Sequence, residues 1–284
     1  MNLAASELIL KEDGSIYHLG LHPNQVPDHI IVVGDPERVP KVSQYFDQVD
    51  EKIIHREFVS HIGRVNGKDV MVISSGMGTD NVEILVTELD ALVNIDLDKR
   101  ERKEKHQPLN IIRVGTSGAL QEDIPLDAYL VSDTAIGLDT LMCFYKLKQS
   151  AQQDQTCKRL QELLNLPFQP YMVEGSSKLK DQLAHGMLRG NTLTCPGFYG
   201  PQGRDINGTV KHNNLIEQLS TFHIDAFWIT NFEMETAGYY ALCYLLGHEM
   251  ISLNAILANR IQGSFSSNAE QTVDGLIREV IDRL

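Results

Sequence analysis

Short β-branched runs separated by segments of helical period limit most strongly what this chain can become. Ile30-Ile31-Val32-Val33, Val70-Met71-Val72-Ile73, Asn110-Ile111-Ile112-Arg113-Val114 and Tyr129-Leu130-Val131 read as buried strands, as do Ala226 to Thr230 and Met250 to Leu257. Between them Val82, Leu85, Val86, Leu89 and Leu92 recur at helical spacing, with Asp80 and Glu83 as a capping pair. A last helix puts Val273, Leu276, Ile277, Val280 and Leu284 on one face. Strands alternating with helices predict an α/β fold, with a parallel or mixed sheet covered on both faces. The 284 residues contain no repeat and no low-complexity linker, so one domain over 1–284 is expected. The one shift in composition, DLDKRERKEKH from Asp96 to His106, reads as a solvated helix end plus loop.

The net charge of -13 argues against a partner that is a nucleic acid or an anionic membrane, while leaving room for a small anion held by a few local arginines. No apolar run approaches the roughly 18 residues of a membrane span, and the first residues lack a basic segment followed by an apolar one. Four scattered cysteines, Cys143, Cys157, Cys195 and Cys243, with no C-x-x-C and no zinc-type His spacing, read as reduced thiols in a cytoplasmic protein.

Residues suited to chemistry gather where the apolar runs end. Asn231-Phe232-Glu233-Met234-Glu235-Thr236-Ala237 puts two carboxylates one residue apart at the start of a helix-like run. Burying such charges without partners is costly, and a ligand rich in hydroxyl donors, such as a sugar, would supply them. Three glycine-bearing segments, Gly34-Asp35-Pro36-Glu37-Arg38, Ser74 to Asp80 and Arg113-Val114-Gly115-Thr116-Ser117-Gly118, follow apolar runs. At carboxyl ends of strands they would converge on a ligand, and glycine lets the backbone approach it; each alone reads better as an ordinary turn. Arg38, Arg56 and Arg113 stand in or beside apolar surroundings, which suits a bidentate anion or a structural pair with Asp35 or Glu57. In Phe198-Tyr199-Gly200-Pro201-Gln202-Gly203-Arg204, an amide and a guanidinium two apart could read the edge of a planar heterocycle stacked on Phe198. Neither the phosphate loop of ATP-binding proteins nor the G-x-G-x-x-G of dinucleotide binders is present.

In this order and spacing, from Tyr17-His18-Leu19-Gly20-Leu21 to Leu257-Ala258-Asn259-Arg260, the chain resembles the nucleoside phosphorylase family, and within it the uridine phosphorylase branch. The resemblance implies a single α/β domain whose central mixed sheet curls toward a barrel, flanked by helices, in a homo-oligomer. It implies that Gly34, Arg38, Arg113 and Thr116 bind phosphate, with Arg56 reaching the phosphate of a neighbouring subunit. His18 would likewise reach the neighbour's ribose. Glu233, Met234 and Glu235 match the ribose-binding E-M-E, and Gln202 with Arg204 match the pair that reads uracil above the ring of Phe198. Purine-specific and hydrolytic relatives carry a Ser-Asp pair near the last strand, where this chain reads Leu257-Ala258-Asn259-Arg260. The hydrolytic ones also lack the phosphate arginines. The segment Cys195-Pro196-Gly197 departs from the family, which usually has threonine or aspartate near the aromatic, and the charged stretch from Asp96 is longer than in compact members.

The activity implied is phosphorolysis of uridine by orthophosphate, which is a substrate, to uracil and ribose 1-phosphate, with no metal or organic cofactor. Arg113, Arg204, Gln202 and Glu235 would carry it. Two alternatives remain at this level: a broader pyrimidine or thymidine/deoxyuridine phosphorylase, and a non-catalytic nucleoside-binding relative, which should have lost part of the arginine set or the glutamate pair.

Overall fold

The computed structural model describes residues 3–284. Its main sheet has 11 strands: β1 (His29–Val33), β2 (Gln48–His55), β3 (Phe58–Val65), β4 (Lys68–Ser74), β5 (Asn110–Ala119), β6 (Tyr129–Gly137), β7 (Tyr171–Glu174), β8 (Leu188–Thr194), β9 (Asn231–Glu233), β10 (Glu249–Asn259) and β11 (Ser264–Phe265). The helices are α1 (Arg38–Ser43), α2 (Thr79–Asn94), α3 (Ala151–Leu164), α4 (Ser177–Leu183), α5 (Leu215–Thr221), α6 (Thr236–Leu246) and α7 (Ala269–Arg283).

The sheet order is β11-β10-β6-β8-β9-β5-β1-β4-β3-β2, with β7 beside β6 and a further pairing of β10 with β5. That last pairing closes β5, β10, β6, β8 and β9 into a ring, so the sheet that was expected to curl closes into a barrel, with β1 to β4 as a wing. Parallel neighbours (β1 with β4 and β5, β10 with β5, β8 with β6 and β9) mix with antiparallel ones (β9 with β5, β10 with β6). Strand β1 shows why two-sided cover follows from the sequence. Ile30 and Val32 join the core under α2 and α6, while Ile31 and Val33 join the core under α1, α4 and α7. Each such buried side chain contributes about 1.5–3 kcal/mol relative to exposure.

Strand β5 is the spine. It pairs β1 only as far as Arg113, opposite Val32, and β9 only from Gly118, opposite Phe232. On the edge facing these two, Val114 to Ser117 are left without a strand partner, while β10 runs along the whole of the opposite edge. This gap lies where ligands collect in open α/β sheets, at a change of strand partner.

Three local expectations are corrected. The segment from Arg113 to Gly118 is strand interior rather than a turn after a strand. The apolar run Ala226 to Thr230 is not a buried strand: Phe227–Trp228 forms a two-residue hairpin with His223–Ile224, turned by Asp225 at φ 51, and Trp228 is exposed. The buried strand lies one step on, at Asn231–Glu233, where Asn231 and Glu233 find polar partners. Asp80 and Glu83 do not cap α2, whose N-cap is Gly78 at φ 89, a conformation that favours glycine, and Glu83 instead accepts the Tyr145 hydroxyl at 2.5 Å. The charged stretch after α2 is exposed as expected but forms a small hairpin, Ile95–Asp96 with Glu101–Arg102. Among the described residues no helix is long and apolar enough to cross a membrane.

Candidate active site

A cavity of about 810 Å³ opens over the gap in β5. Gly34, Arg38, Arg113, Thr116, Phe198, Gln202, Arg204, Glu233, Met234 and Glu235 all line it, so segments far apart in the chain converge. His18 and Arg56 do not. They stand together elsewhere: the Arg56 guanidinium lies 5.0 Å above the ring of Tyr17, and His55 Nδ1 is 2.7 Å from the carbonyl of His18. His18 Nδ1 is 2.6 Å from Glu88 Oε1, and the backbone N–H groups of His18 and Leu19 donate to the same carboxylate.

The floor of the cavity is built around Arg113. Its Nη2 faces Glu235 Oε2 at 2.6 Å and Glu233 Oε2 at 3.0 Å, and its Nη1 donates to Asn254 Oδ1 at 3.0 Å and Ser252 Oγ at 3.2 Å. The guanidinium lies back along its own strand: a Cβ on Gly115 would stand 2.0 Å from Nη1, so this arrangement requires glycine there. With three hydrogen bonds and the ion pair to Glu233 turning both Nη groups toward protein, Nε is the donor left most open to a ligand. The structure thus makes Arg113 the holder of both glutamates, whatever further contact it makes with an anion. Burial opposes its charge, yet Glu233 and Glu235 keep it above its ordinary pKa.

The two glutamates differ. Glu233 accepts from the Thr194 hydroxyl at 2.7 Å and from the N–H groups of Glu235 and Thr236, all in addition to Arg113. Its oxygens are filled, and what they fill is the N-terminus of α6, a natural place for an anion. Glu235 receives one protein contact on each oxygen, Gly78 N–H at 2.9 Å on Oε1 and Arg113 on Oε2, so each keeps a lone pair for a hydroxyl donor. Of the two carboxylates, Glu235 is therefore the one with oxygens open to a hydroxyl donor. Burial pushes the Glu235 carboxyl up, Arg113 pulls it back, and the like charge of Glu233 adds to the rise. The glycine-rich turn after β4 contributes by offering Gly78 N–H to that carboxylate.

Arg38 completes the floor. Its Nη1 is 3.4 Å from the carbonyl of Val114, and among the described residues no carboxylate is in ion-pair contact with it. Burial, followed by the like charge of Arg113, lowers its pKa. A half-buried guanidinium short of partners is a binding point for an anion.

At the other wall, Arg204 Nη1 donates to Gln202 Oε1 at 2.6 Å and to the carbonyl of Phe198 at 2.7 Å, and its guanidinium lies 3.7 Å above the Phe198 ring. Gln202 is buried, and its Nε2 stays free to donate. Arg260 clamps the turn from outside, donating to the carbonyl of Gln202 at 2.8 Å. Burial, then the like charge of Arg260, lowers the Arg204 pKa. Phe232, Ser117, Leu257, Ala258 and Phe265 also line the cavity. The sequence names Ser117 and Phe232 only as members of the segments expected at a ligand, with no role of their own.

A second cavity of about 690 Å³ lies across the 199–215 segment and shares Arg204 as lining. It holds neither glutamate nor Arg38, so the reactive groups belong to the first. Asp90, His106 and His248 offer ligand atoms within 4.8 Å of one another. They fit a metal poorly, because His248 Nδ1 accepts the Leu109 N–H at 3.1 Å. The imidazole proton must then sit on Nε2, 3.3 Å from Asp90 Oδ1, where a metal would need the lone pair.

Comparison with known proteins agrees with this geometry. Residues 28–282 match the family model described as the phosphorylase superfamily. The uridine phosphorylase of Thermococcus kodakarensis is 30% identical over 264 residues, covering 92% of this chain and 83% of that protein. That of Escherichia coli is 26% identical over 279 residues, covering 94% and 96%. Among solved structures, a Trypanosoma brucei nucleoside phosphorylase described as showing uridine phosphorylase activity superimposes with a TM-score of 0.87 at 27% identity, over 98% of this chain and 99% of that one. A cavity of this make-up on a closed barrel with a mixed wing, matched along nearly the whole chain, has one explanation: the chain belongs to the phosphorylase superfamily.

Proposed function

We propose that this chain is a uridine phosphorylase, which converts uridine and orthophosphate to uracil and ribose 1-phosphate. The observation that carries this reading is that one cavity holds an anion point at Arg38, a hydroxyl acceptor at Glu235 and a donor-rich edge at Gln202 and Arg204. The likeness to uridine phosphorylases from several organisms supports it. Leu257 and Ala258 make an apolar wall where the resemblance places the proton-donating aspartate of purine-specific relatives.

In this reading orthophosphate sits against the Gly34 turn, Arg38 and Thr116, with the Arg113 Nε–H as a further donor. Glu235 accepts from ribose hydroxyls and fixes the sugar over it. The bond from C1′ to the base nitrogen breaks through an oxocarbenium-like state, and a phosphate oxygen forms the new bond to C1′. Uracil leaves with the electron pair of the broken bond, and Arg204 and the Gln202 Nε2–H meet charge as it develops on the base oxygens. Interactions that strengthen only as charge develops raise turnover, whereas equal binding of ground and transition states does not. The reaction as written uses no metal or organic cofactor.

His18 and Arg56 act in a neighbouring copy of the chain; their position together, outside the lining of this chain's own cavity, supports that assignment. A cytoplasmic location is supported by four cysteines that are all unpaired.

The test is an assay of purified protein on uridine with and without orthophosphate. Uracil should appear only with phosphate, and Arg204→Ala should lower turnover by about 10²–10³-fold. Uracil release without phosphate, or full activity in R204A, would refute the reading.

A further inference from the structure

The interior of the barrel is polar, which a barrel selected for stability alone would avoid. Arg113 and Ser117 of β5, Asn254 of β10, Ser132 of β6, Thr192 of β8 and Asn231 of β9 are buried and meet there, with at least one contribution from every strand of the ring. The contacts form a line. Arg113 Nη1 reaches Asn254 Oδ1 at 3.0 Å, Asn254 Nδ2 reaches Ser132 Oγ at 3.1 Å, and Ser132 Oγ lies 2.6 Å from Thr192 Oγ1. Thr192 Oγ1 is 3.0 Å from Asn231 Oδ1, and Asn231 Nδ2 is 2.9 Å from Ser117 Oγ. None of these side chains carries a buried polar atom without a partner.

One assignment of the protons serves every group in the line. A guanidinium only donates, so Asn254 must turn its oxygen to Arg113 and its amide to Ser132. Ser132 accepts there, and its own proton goes to Thr192. Thr192 then donates to Asn231, whose oxygen also lies 2.9 Å from the Thr230 hydroxyl. Asn231 is left to donate to Ser117. This assignment gives every hydroxyl proton in the line an acceptor, and donors aligned in one direction polarise one another. Ser117 Oγ accepts from inside the barrel, so its hydroxyl proton is available to the cavity that it lines.

We propose that this one-way line makes the Ser117 hydroxyl a substrate-facing donor, with Asn231 and Asn254 as positioning residues, and that it hydrogen-bonds, keeping its proton, to a carbonyl oxygen of the departing pyrimidine. The location supports the base end: a Cβ on the next residue, Gly118, would stand 3.4 Å from the Phe232 ring and 3.6 Å from Arg260 Cγ, and Arg260 holds the Gln202 turn. The inference rests on the proposed uridine phosphorolysis, and adds a third donor to Gln202 and Arg204.

The experiment compares wild type, Ser117→Ala, Asn231→Asp and the double variant on uridine and phosphate. Asn231→Asp keeps the shape but replaces the amide donor with an acceptor, which turns the Ser117 proton inward. Both single variants should lower kcat about 10-fold, with KM for phosphate unchanged, and the double should lose no more than the worse single. Ser117→Ala at wild-type rate, or additive losses in the double, overturns the inference and leaves the function standing. If Asn231→Asp does not fold, Ser117→Ala alone decides by its kcat and phosphate KM. A wild-type protein inactive on uridine overturns both.

Discussion

At the scale of single residues, the site turns on a positive charge that two carboxylates share. Arg113 neutralises one negative charge where two are buried, and Glu235, the one with free lone pairs, takes the strain as a raised pKa. Its working form is the ionised one, which accepts from ribose hydroxyls. That form is lost as pH falls, and a raised pKa means that it is lost early. The acid limb of kcat/KM for uridine should lie above 4.5, the ordinary value for a glutamate, and Glu235→Gln should lower activity while flattening that limb. A full pH profile of both proteins checks this, and an acid limb below 4.5 would contradict it. The stability sign is the opposite of a favourable ion pair. A carboxyl whose folded pKa is raised stabilises the fold below its unfolded pKa, and that contribution is lost as pH rises through the folded value.

At the scale of elements, α6 depends on a carboxylate from the strand before it. Glu233 takes the backbone N–H of Thr236 and of Glu235, along with the Thr194 hydroxyl, and so terminates β9 and starts α6 with one side chain. Removing it leaves those donors and one bond of Arg113 without a buried partner. Glu233→Ala should lose about 3–5 kcal/mol in urea unfolding, and Glu233→Gln, which keeps one acceptor, should lose less. Equal midpoints for wild type and E233A would show that the cap is dispensable. The same element shows what a sequence can and cannot reveal. Glu233 and Glu235 stand out because two charges flank an apolar residue, but nothing in the string divides their work. That division comes from Thr194 and Gly78, which are distant in sequence and adjacent only once the barrel closes. Arg38, Gln202 and Arg204 were legible because their chemistry is scarce in apolar or turn surroundings. Ser117 was hidden because a serine in a strand says nothing until its partner is known. The run at Ala226 misled because its apolar residues suit an exposed hairpin turned by Asp225 as well as a strand, and the shorter Asn231–Glu233 strand has too few residues to show a period.

At the scale of the whole molecule, the proposed assignments of His18 and Arg56 require a second copy of the chain. Arg56→Ala and Arg204→Ala chains should each be nearly inactive alone. Unfolded together and refolded, half of the resulting dimers would be mixed, with one of two sites intact, so about a quarter of the wild-type activity should return. No recovery in a mixture shown to contain the mixed dimer would place Arg56 outside the neighbour's site. The cavity itself needs no second chain to explain its floor, since Arg38, Arg113 and Glu235 are held by one chain's strands and turns.

The polar barrel interior has a consequence for how the chain reaches this state. Arg113 finds Asn254 141 positions on, and Asn231 meets Ser117 across 114, so the line can form only when distant strands have all arrived. Until β9 seats between β8 and β5, these amides and hydroxyls are better served by water than by one another. A partly assembled barrel is therefore a wet one, and expulsion of that water has to coincide with closure. Folding of the core and completion of the reactive centre become a single event, and no compact half-barrel with a working site lies on the way.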